Sequence, residues 1–186
     1  MKNILTILIF GMLLACGSEP LPQNFEMPEL SDRNINSILD SLNIELPELS
    51  TPLANYVHTV RTGDLVFTSG KGPRDDAGDS ITGKVGVDMT WEEGYDAARS
   101  VGLQQLAALK LELGDLRKVK RIVKVLGMVN AHADFKDQSK VINGFSDLMV
   151  EVFGEAGKHA RSAVGMGSLP NNIAVEIEMI VQVYPD

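Results

Sequence analysis

Residues 173 to 184, I-A-V-E-I-E-M-I-V-Q-V-Y, alternate with a period of two. Successive side chains of a strand point to opposite faces, so Val175, Ile177, Met179, Val181 and Val183 share one side. Glu176, Glu178, Ile180 and Gln182 share the other. The first face needs a hydrophobic cover. The second is a mixture of acid, amide and apolar groups, and a large, partly apolar surface of that kind marks contact between molecules. The strand therefore asks for a sheet with one face buried inside the molecule and the other against further copies of it.

Two amphipathic helices supply the inner cover. Thr90-Trp91-Glu92-Glu93 is a capping box, and the apolar pattern after it runs to Gly114 with Ala97, Ala98, Val101, Leu106 and Leu109 on a shared face. A second helix spans residues 138 to 153, with Val141, Phe145, Leu148 and Val152 inward and G-E-A-G closing it. Y-V-H-T-V-R and L-V-F-T-S-G flank a T-G-D turn and predict a hairpin. Residues 81 to 85 suggest a short further strand, after an exposed loop of turn formers over residues 70 to 80. V-K-R-I-V-K-V-L-G-M-V reads as a strand in which Val119, Val123, Val125 and Val129 alternate, and residues 160 to 168 and 173 to 184 as two strands around a Leu169–Asn172 turn. This order predicts an α+β fold, a mixed β-sheet with two helices packed on one face.

The first fifty residues differ in character. Lys2 precedes an apolar run from Ile4 to Leu14, shorter than the roughly 20 residues that span a bilayer, which predicts an export signal. Leu13-Leu14-Ala15-Cys16 resembles a bacterial lipobox, in which the cysteine is lipidated and becomes the first mature residue. The expected organisation is a lipoprotein signal peptide over 1–15, a proline-containing tether over 16–30, an amphipathic helix and lead-in over 31–52, and the main domain over 53–186. In the third segment Ser31 is a plausible N-cap, and Ile35, Ile38, Leu39 and Leu42 fall at helical spacing. The expected address is the cell envelope, anchored to a membrane through the lipidated N-terminus.

Several chemistries are excluded. Cys16 is the only cysteine, so packing rather than a disulfide within the chain must hold the fold. The net charge of −8 becomes −9 once Lys2 is removed with the leader, a balance that repels phosphate backbones and argues against nucleic acid as partner. The one dense basic cluster, K-V-K-R-I-V-K over 118 to 124, reads as solvent-facing or interface positions of a strand. His58, His132 and His159 lack the paired spacing of zinc ligands, and neither G-x-S-x-G, G-x-G-x-x-G nor a P-loop occurs. No metal and no cofactor is called for.

Arg161, Glu176 and Glu178 are the charges on the two C-terminal strands. If those strands form a hairpin centred between Pro170 and Asn171, Arg161 lies opposite residue 180 and shares a face with Glu176, about 13 Å away along the strand. Two long side chains reaching across such a gap would enclose a small anion and a water. The alternative is ordinary charge pairing, with Arg161 neutralising Glu178 or a carboxylate of a neighbouring copy.

R-S-A-V-G-M-G-S-L-P-N-N-I-A-V-E-I-E resembles the signature of the YjgF/RidA family of reactive-intermediate imine deaminases, also called the liver perchloric-acid-soluble protein family. N-Y-V-H-T-V-R-T-G-D-L-V-F-T-S-G is similar to its first hairpin and V-I-N-G-F-S-D-L-M-V-E-V-F-G to its second helix, so the likeness covers about residues 44 to 184. The resemblance implies a chorismate-mutase-like fold, a homotrimer, and sites in clefts between subunits that hydrolyse small 2-imino or enamine carboxylic acids to 2-oxo acids and ammonia. It implies that Arg161 clamps the substrate carboxylate, that Glu176 activates water, and that Tyr56, Ser69, Gly70 and Asn143 line the pocket. Ala163 stands where family members commonly carry a cysteine, and the phrasing is that of a subgroup of undefined substrate. A non-catalytic carboxylate-binding or scaffold lipoprotein of the same fold is the alternative.

Overall fold

The computed structural model describes residues 33–52 and 54–185. The segments expected to be leader and tether, with Cys16, lie outside the described residues. The elements are α1 (Ile35–Ser41), β1 (Thr59–Thr62), β2 (Leu65–Thr68), α2 (Trp91–Leu113), β3 (Val119–Asn130), α3 (Gln138–Phe153), β4 (Ala160–Met166) and β5 (Val175–Val183). The five strands form one mixed sheet in the order β1-β2-β5-β3-β4, with β3 and β4 parallel and every other pair antiparallel.

Local chemistry sets the helix limits. Thr90 Oγ1 accepts from Glu93 N while Glu93 Oε2 accepts from Thr90 N, completing the capping box, and α2 stops at Gly114 with φ at 71°. Val101, Leu106 and Leu109 of α2 and Val141, Phe145, Leu148 and Val152 of α3 are buried in one cluster with Val125, Val129, Ile177, Met179 and Val181 of the sheet. The two helices approach closely because Gly144 of α3 lies against the backbone of Tyr95, where a Cβ would overlap the carbonyl. α1 begins at Asn34, whose side chain accepts from Ser37 N, and buries Ile35 and Leu39 in the same cluster.

Three expectations are corrected. The two C-terminal strands are not a hairpin: β4 runs parallel to β3, and β3 separates it from β5. A parallel pair needs a crossover, which α3 provides between β3 and β4. After β4 the chain makes a turn at Pro170–Asn172, with Asn171 and Asn172 at φ 52° and 58°, and crosses the end of β3 to reach the middle of the sheet. Asn130 ties that crossing down, donating its side-chain amide to Asn172 Oδ1 at 2.9 Å and its backbone N–H to Ala174 O. Residues 81 to 85 make isolated bridges, Thr82 to Ile173 and Val85 to Ala131, rather than a strand. In β3 the register slips against β5 between Val119 and Arg121 and between Ile122 and Lys124. Each bulge adds one residue and reverses parity, so Ile122 takes the buried position and Val123 is only half-buried.

Candidate functional site

The odd residues of β5 are buried beneath the helices and its even residues lie on the uncovered face. Glu176 is half-buried there. Its carboxylate meets Gly70, just beyond β2, where any Cβ would overlap Oε1, so the close approach requires glycine. Gln105, fully buried on α2, fixes that segment by donating from Nε2 to Ser69 O at 3.0 Å and to Ile177 O at 2.7 Å. A cavity of about 390 Å³ opens over Glu176, bordered by Tyr56, Ser69, Gly70, Arg74 and Asn171. Burial, with the neighbouring Glu178 charge adding to it, raises the Glu176 pKa above the usual carboxylate value. A carboxylate so tuned is a better proton acceptor than one in water.

Arg161 belongs to a different cluster. It sits on the edge strand β4 in register with Val125, itself opposite Met179, and therefore on the helix-covered face. Its guanidinium donates from Nη1 to Asn143 Oδ1 and to Ser146 Oγ, both at 2.9 Å, and from Nη2 to Ser139 O at 3.4 Å. No carboxylate lies within ion-pair distance of it among the described residues, and burial lowers its pKa while Asp147 offsets part of that effect. The fork is held by neutral acceptors, which leave its charge unneutralised, and a planar guanidinium in that state suits a carboxylate or another anion.

The structure thus brings Glu176, Tyr56, Ser69 and Gly70 together and, separately, Arg161 and Asn143. The expectation that Arg161 and Glu176 share a face fails with the hairpin on which it rested. They lie two strand spacings apart across the sheet and three residues apart along it, about 14 Å between backbones, and on opposite faces. One copy of the chain presents two separate clusters. Sequence reasoning missed Gln105 and Arg74, which reach the Glu176 cluster from distant parts of the chain, and Ser146 and His159, which stand close in sequence to Asn143 and Arg161 but match no motif. Among the described residues no three His, Cys, Asp or Glu side chains gather as metal ligands do.

The family model described as "YjgF/chorismate mutase-like, putative endoribonuclease" matches residues 36–182. Protein TCP17 of Trypanosoma cruzi is 41% identical over 157 residues, covering 84% of this chain and 98% of that protein. Among solved structures, the protein Atu1372 of Agrobacterium tumefaciens, described as of unknown function, is 40% identical with a TM-score of 0.73, covering 80% of this chain and 91% of that one. One from Shewanella oneidensis, described in the same endoribonuclease terms, is 33% identical with a TM-score of 0.78, covering 81% of this chain and 100% of that one.

Proposed function

The chain belongs to the YjgF/RidA family, and we propose that it assembles as a homotrimer whose inter-subunit clefts hydrolyse small 2-imino carboxylic acids to 2-oxo acids and ammonia. The family fold supports a small-molecule deaminase or an endoribonuclease-like role in general. The division of the site carries the finer reading: a cation fork with no acid partner among the described residues and a half-buried carboxylate sit on opposite faces of one copy, and each is half of what imine hydrolysis needs. In the cleft between two copies, Arg161 and Asn143 of one would face Glu176, Tyr56, Ser69 and Gly70 of the next. Arg161 binds the substrate carboxylate and fixes the imine carbon. Glu176 accepts a proton from water as the water oxygen bonds to that carbon and passes it to nitrogen, giving a carbinolamine; a second proton then moves from the new hydroxyl to nitrogen by way of Glu176 as the C–N bond breaks, the C=O bond forms and ammonia leaves. The net charge of −8 weighs against an RNA substrate.

The test is ammonia release from freshly generated 2-iminopropionate or 2-iminobutyrate. Turnover above the spontaneous rate, falling at least a hundredfold in Arg161→Ala and in Glu176→Gln, supports the enzyme. Ala163, where relatives commonly have cysteine, favours a second reading, a carboxylate-binding module without turnover. Binding of 2-oxobutyrate that needs Arg161, with ammonia release at the background rate, would establish that reading instead. The leader and Cys16 extend the proposal to a lipidated protein tethered in the cell envelope, tested by the loss of membrane association in Cys16→Ser.

A further inference from the structure

Behind Arg161 lies a chain of hydrogen bonds with no role in the chemistry described so far. His159 Nδ1 is 2.6 Å from Gly157 O, and His159 Nε2 is 3.0 Å from Ser146 Oγ, which in turn accepts from Arg161 Nη1 at 2.9 Å. The direction of every bond follows from the two ends. A carbonyl only accepts, so Nδ1 carries the ring hydrogen; the neutral ring then offers a lone pair at Nε2, and Ser146 must donate to it. The lone pairs of Ser146 are left for the guanidinium. A cavity of about 340 Å³ beside this array is lined by Ser146, Val150, Lys158, His159 and Arg161.

We infer that Ser146 and His159 complete the carboxylate clamp: His159 is a positioning residue that acts on Arg161 through Ser146 and takes up a proton when the clamp closes on an anion. The inference rests on the reading of Arg161 as that clamp. Once protonated, His159 Nε2 becomes a donor. Ser146 Oγ then accepts from both His159 and Arg161, and its own hydrogen is freed to donate to a carboxylate in the cavity. Burial above all holds the His159 pKa below its ordinary value; the bond to Gly157 O works the other way, and the Arg161 charge, the smallest of the three effects, adds to the lowering. An anion on Arg161 cancels the charge that opposes protonation, so anion and proton favour each other. The other charges around the ring are engaged: Lys158 pairs with Glu155 at 2.7 Å on the turn before β4, Asp147 of α3 accepts from Tyr95 Oη, and Lys124 of β3 donates to Ser162 Oγ.

The experiment is calorimetric titration of the full-length protein with pyruvate, which stays ionised from pH 5 to 8, in buffers of differing ionisation heat. The wild-type protein should bind severalfold more tightly at pH 5 than at pH 8 and take up a fraction of a proton as it does so. His159→Gln, whose amide oxygen accepts the Ser146 hydrogen, should bind with no pH dependence and no proton uptake. Ser146→Ala should bind more weakly at every pH. Unchanged proton uptake in His159→Gln would overturn the inference and assign the proton to another group, such as Glu176. Wild-type binding by Arg161→Ala would instead defeat the clamp reading underneath. Should a variant not fold, the His159 ring resonances of the wild type decide: pyruvate raises the titration midpoint, and a midpoint that stays put overturns the inference.

Discussion

Glu176 holds its charge in a place that opposes it. Its pKa in the folded protein is raised, so ionising it favours the unfolded chain; the stability Glu176 contributes is present in full below its unfolded pKa and is lost as pH rises through the folded value. Glu176→Gln removes that ionisation. Thermal unfolding should show a Tm gain of about 2–4 °C at pH 7.5, vanishing near pH 4, in the same variant that loses ammonia release. An equal gain at both pH values would mean that packing, not charge, is responsible. At this scale the sequence was partly legible. Arg161 and Glu176 stand out because charge on strands with apolar faces needs a reason, but their mutual placement depends on which strand lies between them. His159 and Ser146 are thirteen residues apart across a helix end and a turn, and only the folded chain joins them.

Helices were the most legible elements because their signals are local. α2 and α3 begin and end where a capping box, a glycine and a 3.6-residue apolar period place them. Thr90→Ala should lower the unfolding free energy by about 1 kcal/mol, read from denaturant midpoints, because Glu93 N loses its side-chain acceptor. Strand pairing was less legible. Neither the bulges of β3 nor its parallel partner leaves a local trace, since both depend on how a strand fits neighbours far away in the chain. The Leu169–Asn172 segment carries turn formers that suit a hairpin, and residues 160–166 are short and apolar enough to serve as either neighbour. What decides between them is burial. β5 is buried at every odd position and so occupies the centre, while β4 is at most half-buried and takes the edge.

For the molecule as a whole, the open face of the sheet is the feature that asks for partners. Val60, Phe67 and Ile180 sit side by side across β1, β2 and β5, and Val164 stands beyond Met128 on β4; Val60 is 56% exposed, Phe67 41% and Val164 40%. Light scattering coupled to gel filtration should return three times the chain mass. Val164→Asp, by placing a charge in that contact, should yield a folded monomer that neither binds pyruvate nor releases ammonia. A monomeric wild-type protein would leave the two half-sites with nothing to join them. The strand order carries a separate consequence for biosynthesis. The central strand is the last of the five to be made, so a nascent chain that has completed β4 holds a β1–β2 ribbon and a β3–β4 pair, each with a bare edge where β5 belongs. No register between the two pieces exists until the ribosome releases that strand, and a holdase that shields β2 and β3 during synthesis would protect the chain when it is most prone to join with its neighbours.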